Sequence, residues 1–263
     1  MKQLLTESDI IPYVGAEPPG KKVMVVAPHP DDETLGPGGT LSLLVSKGVR
    51  VVVVFLTSGD KADPAHPLNG TQKSGSPVSD YALMREKEAC RALRILGISE
   101  YYFLRYGDRE VFSNFDSCKD SLYYIYNIMS HEGEGQPLCD AVYAPSPLEL
   151  NPDHRAAAAL ALHLNRDYGL SVVFYEVTTP LRPNLIVDIT GVMRKKNKAM
   201  RAYKSQLKLI EYDEYINSLN RVRALTLPGK TLYAEAFMVF HHATSVEAII
   251  EWVSYGECLR QLM

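Results

Sequence analysis

Lys22-Val-Met-Val-Val-Ala27 runs straight into Pro28-His29-Pro30-Asp31-Asp32-Glu33. The first six positions are almost continuously apolar, the pattern of a strand buried on both faces. Just beyond, Gly36 to Lys47 carries Leu41, Leu44 and Val45 at helical spacing, and Gly48 supplies a stop. Val49 to Leu56 then reads as a second buried strand, rich in β-branched residues. Strand, helix, strand within thirty-odd residues is the opening of a parallel sheet, and the polar turn sits where the first strand ends.

The remaining chain continues the alternation. Gly59 to Asp80 holds Pro64, Pro67, Gly70, Gly75 and Pro77 without periodicity, so a long functional loop is expected. Helices are expected over Tyr81–Leu96, Ser117–Ser130 and Pro152–Leu164, with strands at Tyr101–Leu104, Asp140–Ala144, Ser171–Glu176 and Leu185–Asp188. A basic helix from about Gly191 to Leu209, a strand over Tyr233–Phe240 and a helix over Val246–Leu259 close the chain. The fold class is therefore α/β: a Rossmann-like, doubly wound, mostly parallel sheet with helices on both faces. Neither a repeat nor a linker divides the sequence, so residues 1–263 are expected to form a single domain.

Composition narrows the function. The 263 residues are 46% hydrophobic and 22% charged, with a formal net charge of −3. Those values exclude disorder and low-complexity repeats, and the charge balance speaks against nucleic acid as a partner. Cys90, Cys118, Cys139 and Cys258 form no C-x-x-C pair, which excludes a zinc ribbon or a thioredoxin-type motif. The first ten residues, MKQLLTESDI, lack the unbroken apolar stretch of a signal peptide, and the run Val51–Leu56 is far below the ~20 residues of a membrane span. A cytoplasmic protein without an integral membrane segment is expected.

The chemistry concentrates at two strand ends. His29 and Asp32 stand three apart, near enough for one irregular turn to aim imidazole and carboxylate at one ion, and that donor set suits zinc or another divalent metal. Adjacent side chains diverge, so Asp31 is left to stand beside the metal as a base for bound water. The same acids also fit a polar loop capping the next helix. After the fourth expected strand comes Glu149-Leu-Asn151-Pro152-Asp153-His154-Arg155. Its His154 can complete a His–Asp–His triad with the fourth zinc position open to water, although Asn151 as N-cap and His154 as a helix-start residue explain it too. Three other features carry less. Gly36-Pro-Gly38-Gly39 lacks the third glycine of a dinucleotide site and follows acids that repel pyrophosphate, so close chain packing is its expected purpose. The basic run Arg194–Lys204 reads as a solvated face. Of the adjacent pair His241-His242, opposite in direction on a strand, one alone can face a site.

Ala27-Pro-His29-Pro-Asp31-Asp32-Glu33 resembles the hallmark motif of the PIG-L/LmbE-like zinc deacetylases, and Asn151-Pro152-Asp153-His154 resembles their second motif, usually HPDH. Thr57-Ser-Gly-Asp60, Arg85-x-x-Glu88 and Lys198-Ala-Met-x-x-Tyr203-x-Ser205-Gln206 extend the likeness over a core of about 22–206, with 207–263 as an extension. The resemblance implies removal of an N-acetyl group from an N-acetylglucosaminyl conjugate by a single Zn2+, with a small-molecule sugar conjugate as partner and homo-oligomers allowed. It makes His29, Asp32 and His154 the metal ligands and Asp31 the general base. Arg85 becomes an arginine facing the site, and Asp108, Glu149 and His242 are further candidates for contacting the sugar. Asp153 is expected to orient a ligand imidazole. The departure is Asn151, where the family usually has a histidine: an amide can donate a hydrogen bond but cannot serve as an acid. That substitution keeps open a related amidase with another acyl group or amine, and a zinc-containing sugar binder with little turnover.

Overall fold

The computed structural model describes Pro12, residues 14–62, 79–131 and 139–241, and Ile249. Seven strands form one sheet: β1 (Lys22–Ala27), β2 (Arg50–Thr57), β3 (Glu100–Tyr106), β4 (Ala141–Pro145), β5 (Ser171–Tyr175), β6 (Leu185–Asp188) and β7 (Ala234–Phe240). Their order is β3-β2-β1-β4-β5-β7-β6. Neighbours from β3 through β5 run parallel, whereas β7 is antiparallel to both β5 and β6. The α/β, mostly parallel architecture expected from the alternation is thus the observed one, with one reversed strand near its edge.

Around the sheet stand α1 (Asp32–Leu35), α2 (Gly38–Ser46), α3 (Asp80–Leu96), α4 (Phe115–His131), α5 (Pro152–Tyr168), α6 (Met193–Met200), α7 (Lys204–Leu207) and α8 (Tyr212–Arg223). The period-two geometry of β1 explains the layering. Val23, Val25 and Ala27 enter one core with Leu41, Leu44, Leu93, Leu96, Met193 and Ile216, from α2, α3, α6 and α8. Met24 and Val26 enter the other with Leu122, Ile125, Leu160 and Leu164, from α4 and α5. Every residue of β1 is buried, and each such valine contributes about 1.5–3 kcal/mol relative to exposure. α3 shows why its ends fall where they do: Ser79 accepts a hydrogen bond from the Ala82 amide at 3.1 Å, and Gly97 closes the helix in the left-handed region, at φ 90°.

Two expectations change. The basic segment is not one helix: it breaks at Arg201–Tyr203 between α6 and α7, where Tyr203, at ψ 60°, turns its hydroxyl into a buried hydrogen bond with Glu33. Nor is its charge uniformly solvated, since Lys196 is fully buried. α8 lay outside the expected elements altogether. The helix expected at 246–259 falls outside the described residues except for Ile249, and of the 59–80 loop a 3-10 turn at Asp60–Ala62 is described while 63–78 are not.

Candidate active site

β1 and β4 are neighbours, and the chain winds outward from them in both directions. A crevice forms beyond the carboxyl ends of strands at such a switch point. Both motifs leave from those ends, Pro28–Glu33 after β1 and Ser146–His154 after β4. Between them lies a cleft of about 270 Å³ lined by His29, Asp31, Asp32, Arg85, Asp108, Asn151 and His154 among others.

The ring of His29 uses both nitrogens. Its Nδ1 lies 3.1 Å from Asp32 Oδ2, while its Nε2 lies 3.2 Å from Asp108 Oδ1 and 3.3 Å from Asp153 Oδ2. His154 Nε2 approaches the same Asp32 oxygen at 3.3 Å. One atom each from His29, Asp32 and His154 therefore lies within 4.8 Å of the others, all three side chains being buried. A second trio, His29, Asp108 and Asp153, meets the same distance test. Of its carboxylates, Asp153 does not line the cleft and accepts the backbone N–H groups of Arg109 and Val111, and Asp108 accepts that of Lys61, as Asp32 in the first trio accepts that of His29. The first trio keeps its donors turned to one another at the cleft wall, with borderline nitrogen and hard oxygen ligands, and so fits a divalent transition metal. Asp108 and Asp153 instead face His29 Nε2, the ring nitrogen on the far side from Asp32.

Charge distribution agrees with that division. Burial by itself would raise Asp32, yet the two imidazoles beside it drive its carboxyl far below the ordinary range. Burial would lower His154, but the Asp32 charge and hydrogen bond lift it to about 9, and His29 moves well up for the same kind of reason. The site thus attracts a cation. Asp31 behaves oppositely: burial pushes it up to about 7, with Arg85 pulling down and Asp32 pushing up.

Asp31 lines the cleft but leans away from the trio. Arg85 Nη2 donates to its Oδ2 at 3.1 Å and to the Pro30 carbonyl at 2.6 Å, and Nη1 donates to the Gly59 carbonyl at 2.9 Å. Arg85, expected to face the site, grips the Pro30–Asp31 turn and the Gly59 loop and is part of the cleft wall. Glu88, three residues further along α3, accepts from the Ser205 amide and hydroxyl. Gly59 is needed where it is: a Cβ there would come within 1.9 Å of Arg85 Nη1, and its φ is +63°.

The second motif opens α5. Asn151 is its N-cap, with Oδ1 accepting from the Asp153 amide at 2.9 Å, so the amide nitrogen is the end left for the cleft. Asp153, fully buried, does not line the cleft and works through His29. Glu149 is likewise off the cleft wall. It accepts from the amides of Val177, Thr178 and Thr179 and from the Thr178 hydroxyl, with His154 Nδ1 at 3.7 Å, beyond hydrogen-bond range. His242 lies outside the described residues. The cleft also recruits side chains with no local sequence signal, notably Lys61, Arg109 and Tyr212. Arg109 reaches it from a left-handed backbone, φ 65°, and Tyr212 from α8.

Known proteins share this framework. Residues 24–165, more than half of the chain, match the family model described as PIG-L, GlcNAc-PI de-N-acetylase. Diacetylchitobiose deacetylase of Thermococcus kodakarensis is 30% identical over 203 residues, covering 71% of this chain and 70% of that protein. The 4-oxalmesaconate hydratase of Pseudomonas putida is 26% identical over 253 residues, 86% of this chain and 92% of the relative. Among solved structures, N,N′-diacetylchitobiose deacetylase from Pyrococcus horikoshii shares the fold with a TM-score of 0.67 at 24% identity, over 95% of this chain and 100% of its own. With the motifs at matching strand ends and the family model spanning both, the chain belongs to the PIG-L family of de-N-acetylases.

Proposed function

We propose that this enzyme is a zinc-dependent hydrolase that removes the acetyl group from the amide nitrogen of an N-acetylglucosaminyl conjugate. The observation that carries the reading is the convergence of His29, Asp32 and His154 in a buried cleft with Asp31 beside them but outside the trio. His29, Asp32 and His154 would hold the ion, which supplies Lewis acidity toward the amide carbonyl and an acidified water. Asp31 takes the proton as water attacks. The same carboxyl, then protonated, can give that proton on to the departing amine, so one group serves both transfers. Such a shuttle matters here because Asn151 cannot act as the acid. With Oδ1 committed to the α5 cap, its amide N–H is directed to the developing oxyanion. Asp108 and Asp153 keep His29 in the ligating tautomer, and Glu149 holds the Val177–Thr179 wall.

A second reading has its own support. Asn151 lacks a proton to give, and a hydratase is among the relatives. The same trio and base would then add water to a substrate without an amide.

Metal analysis joined to acetate release from N,N′-diacetylchitobiose and a panel of other N-acetylglucosaminyl conjugates decides between them. One zinc per chain is expected, lost in His154→Ala. Asp31→Asn should keep its zinc and lose about 10²–10⁴ in turnover. Zinc without acetate release from the panel overturns the deacetylase reading and leaves the hydratase, an amidase for another acyl group or a sugar binder, and a chain that binds no metal overturns them all.

A further inference from the structure

Glu33 is fully buried and does not line the cleft, yet it follows the trio member Asp32 directly. Its carboxylate has three neutral donors. Oε2 accepts the backbone N–H of Asp31 at 3.1 Å, and Oε1 accepts the Tyr203 hydroxyl at 2.5 Å and the Thr34 hydroxyl. No Lys or Arg among the described residues pairs with it.

Asp31 shows what this arrangement holds. Its backbone has φ 132° and ψ −32°, a region that residues bearing a Cβ seldom occupy. Such a conformation persists only where surrounding contacts over-determine it. Here they come from two directions. Arg85 holds the Asp31 carboxylate and the preceding carbonyl, and Glu33 holds the Asp31 amide. Tyr203 is buried at the break between α6 and α7, with ψ 60°, and a continuous helix would not bring the same side chain to Glu33. The departure of the basic segment from helical geometry is thus tied to the turn that carries Asp31.

We propose that Tyr203 and Glu33 are positioning residues, a latch that fixes the strained Asp31 backbone and so aims its carboxylate at the attacking water. The proposal rests on the reading of Asp31 as the base. Leucine at position 33 has no acceptor, so the Asp31 amide and the Tyr203 and Thr34 hydroxyls all lose their partner; glutamine would keep its oxygen on the amide and let both hydroxyls accept. Phenylalanine at 203 removes one brace and leaves Thr34.

Zinc-loaded Glu33→Leu and Tyr203→Phe proteins are to be crystallised, titrated with Zn2+ alone and assayed by acetate release from the conjugate that the parent turns over best. In Glu33→Leu, Asp31 is expected to leave the positive-φ region, with zinc affinity within threefold of the parent. The expected kcat is 10- to 100-fold lower with KM within threefold, and Tyr203→Phe should show a smaller loss of the same kind. Crystals of Glu33→Leu in which Asp31 keeps its positive φ overturn the latch. So does a tenfold or larger loss of zinc affinity, which assigns Glu33 to holding the ligands. Asp31→Asn run in parallel separates the two layers: parent-level activity in that variant defeats the base reading itself. An inactive Asp31→Asn beside a fully active Glu33→Leu defeats only the latch.

Discussion

Asn151 serves two structures with one side chain. Its oxygen caps α5 and its amide nitrogen is left for the cleft. Substitutions can separate the two. Asn151→Ala loses both and should cost about 0.5–2 kcal/mol of stability along with turnover. Asn151→Asp keeps an acceptor at the cap but removes the donor. Its unfolding midpoint in urea should stay near that of the parent while kcat falls about 10²–10³-fold. Parent-level turnover in Asn151→Asp would mean that the amide donor is not used. His29 divides its labour similarly, one nitrogen toward Asp32 and the other toward Asp108 and Asp153. Removing its carboxylate partner in Asp153→Asn should weaken zinc binding about 10–100-fold, measured by competition with a chromogenic chelator. Unchanged affinity would show that Asp108 alone orients the ring. The ligand-type residues were legible from spacing, because imidazole and carboxylate at a strand end have few other uses in such density. Asp153 was expected beside a ligand imidazole, but that Asp108 would share His29 with it was not legible, since Asp108 is 79 positions from His29.

At the scale of elements, the Gly36–Thr40 segment packs closely under the metal loop, as the cluster of glycines suggested. A Cβ on Gly36 would come within 2.4 Å of the Tyr175 ring. The start of α2 is pinned by Glu235 of β7, which accepts the Gly39 and Thr40 amides at 2.8 Å each. Lys196 of α6 completes the joint, donating to Glu235 at 2.6 Å, to Asn220 at 3.0 Å and to the Gly36 carbonyl at 2.9 Å. Truncation in Lys196→Ala leaves a buried carboxylate without its cation and should cost about 3–5 kcal/mol, read from urea unfolding. A loss below 1 kcal/mol would show that the α2 amides alone satisfy Glu235. The sequence placed Lys196 in a basic run and gave no sign that one of its cations turns inward. Helical period orders residues along one element, whereas Glu235 and Gly36 arrive from elements far away in the chain. For the same reason the break before α7 was invisible: Tyr203 leaves the helix for a hydrogen bond 170 residues distant in sequence.

For the whole molecule, the metal site sets how stability responds to pH. Without an ion, Asp31 and Glu33 are raised by burial from ordinary values of 3.8 and 4.5 to about 7. Each then lowers stability as it ionises, over pH ~4 to 7. His154, raised from 6.5 to about 9, contributes stability that is complete below pH 6.5 and lost as pH rises through 9. Asp32, depressed, acts in the opposite sense, and its contribution disappears only in acid below about 3.8. Metal-free protein should therefore melt lower at pH 9 than at pH 6 by differential scanning calorimetry, and a flat or rising midpoint would contradict this assignment of charges. Zinc at about 1,000 times its Kd at pH 6 should restore about 4 kcal/mol there, and at that same zinc concentration the gain should grow toward alkaline pH as protons cease to compete for the imidazoles. What the sequence determined by itself was local and periodic: which stretches become buried strands, that they alternate with helices, and that ligand-type residues crowd two strand ends. These follow from side-chain period and residue chemistry, which need no knowledge of distant contacts. Tertiary structure decided the rest. It joined Arg85 to Asp31, kept Asp153 and Glu149 off the cleft wall, brought Tyr212 into it and set Tyr203 against Glu33, because the packing of β1 beside β4 fixes which distant side chains share one buried space.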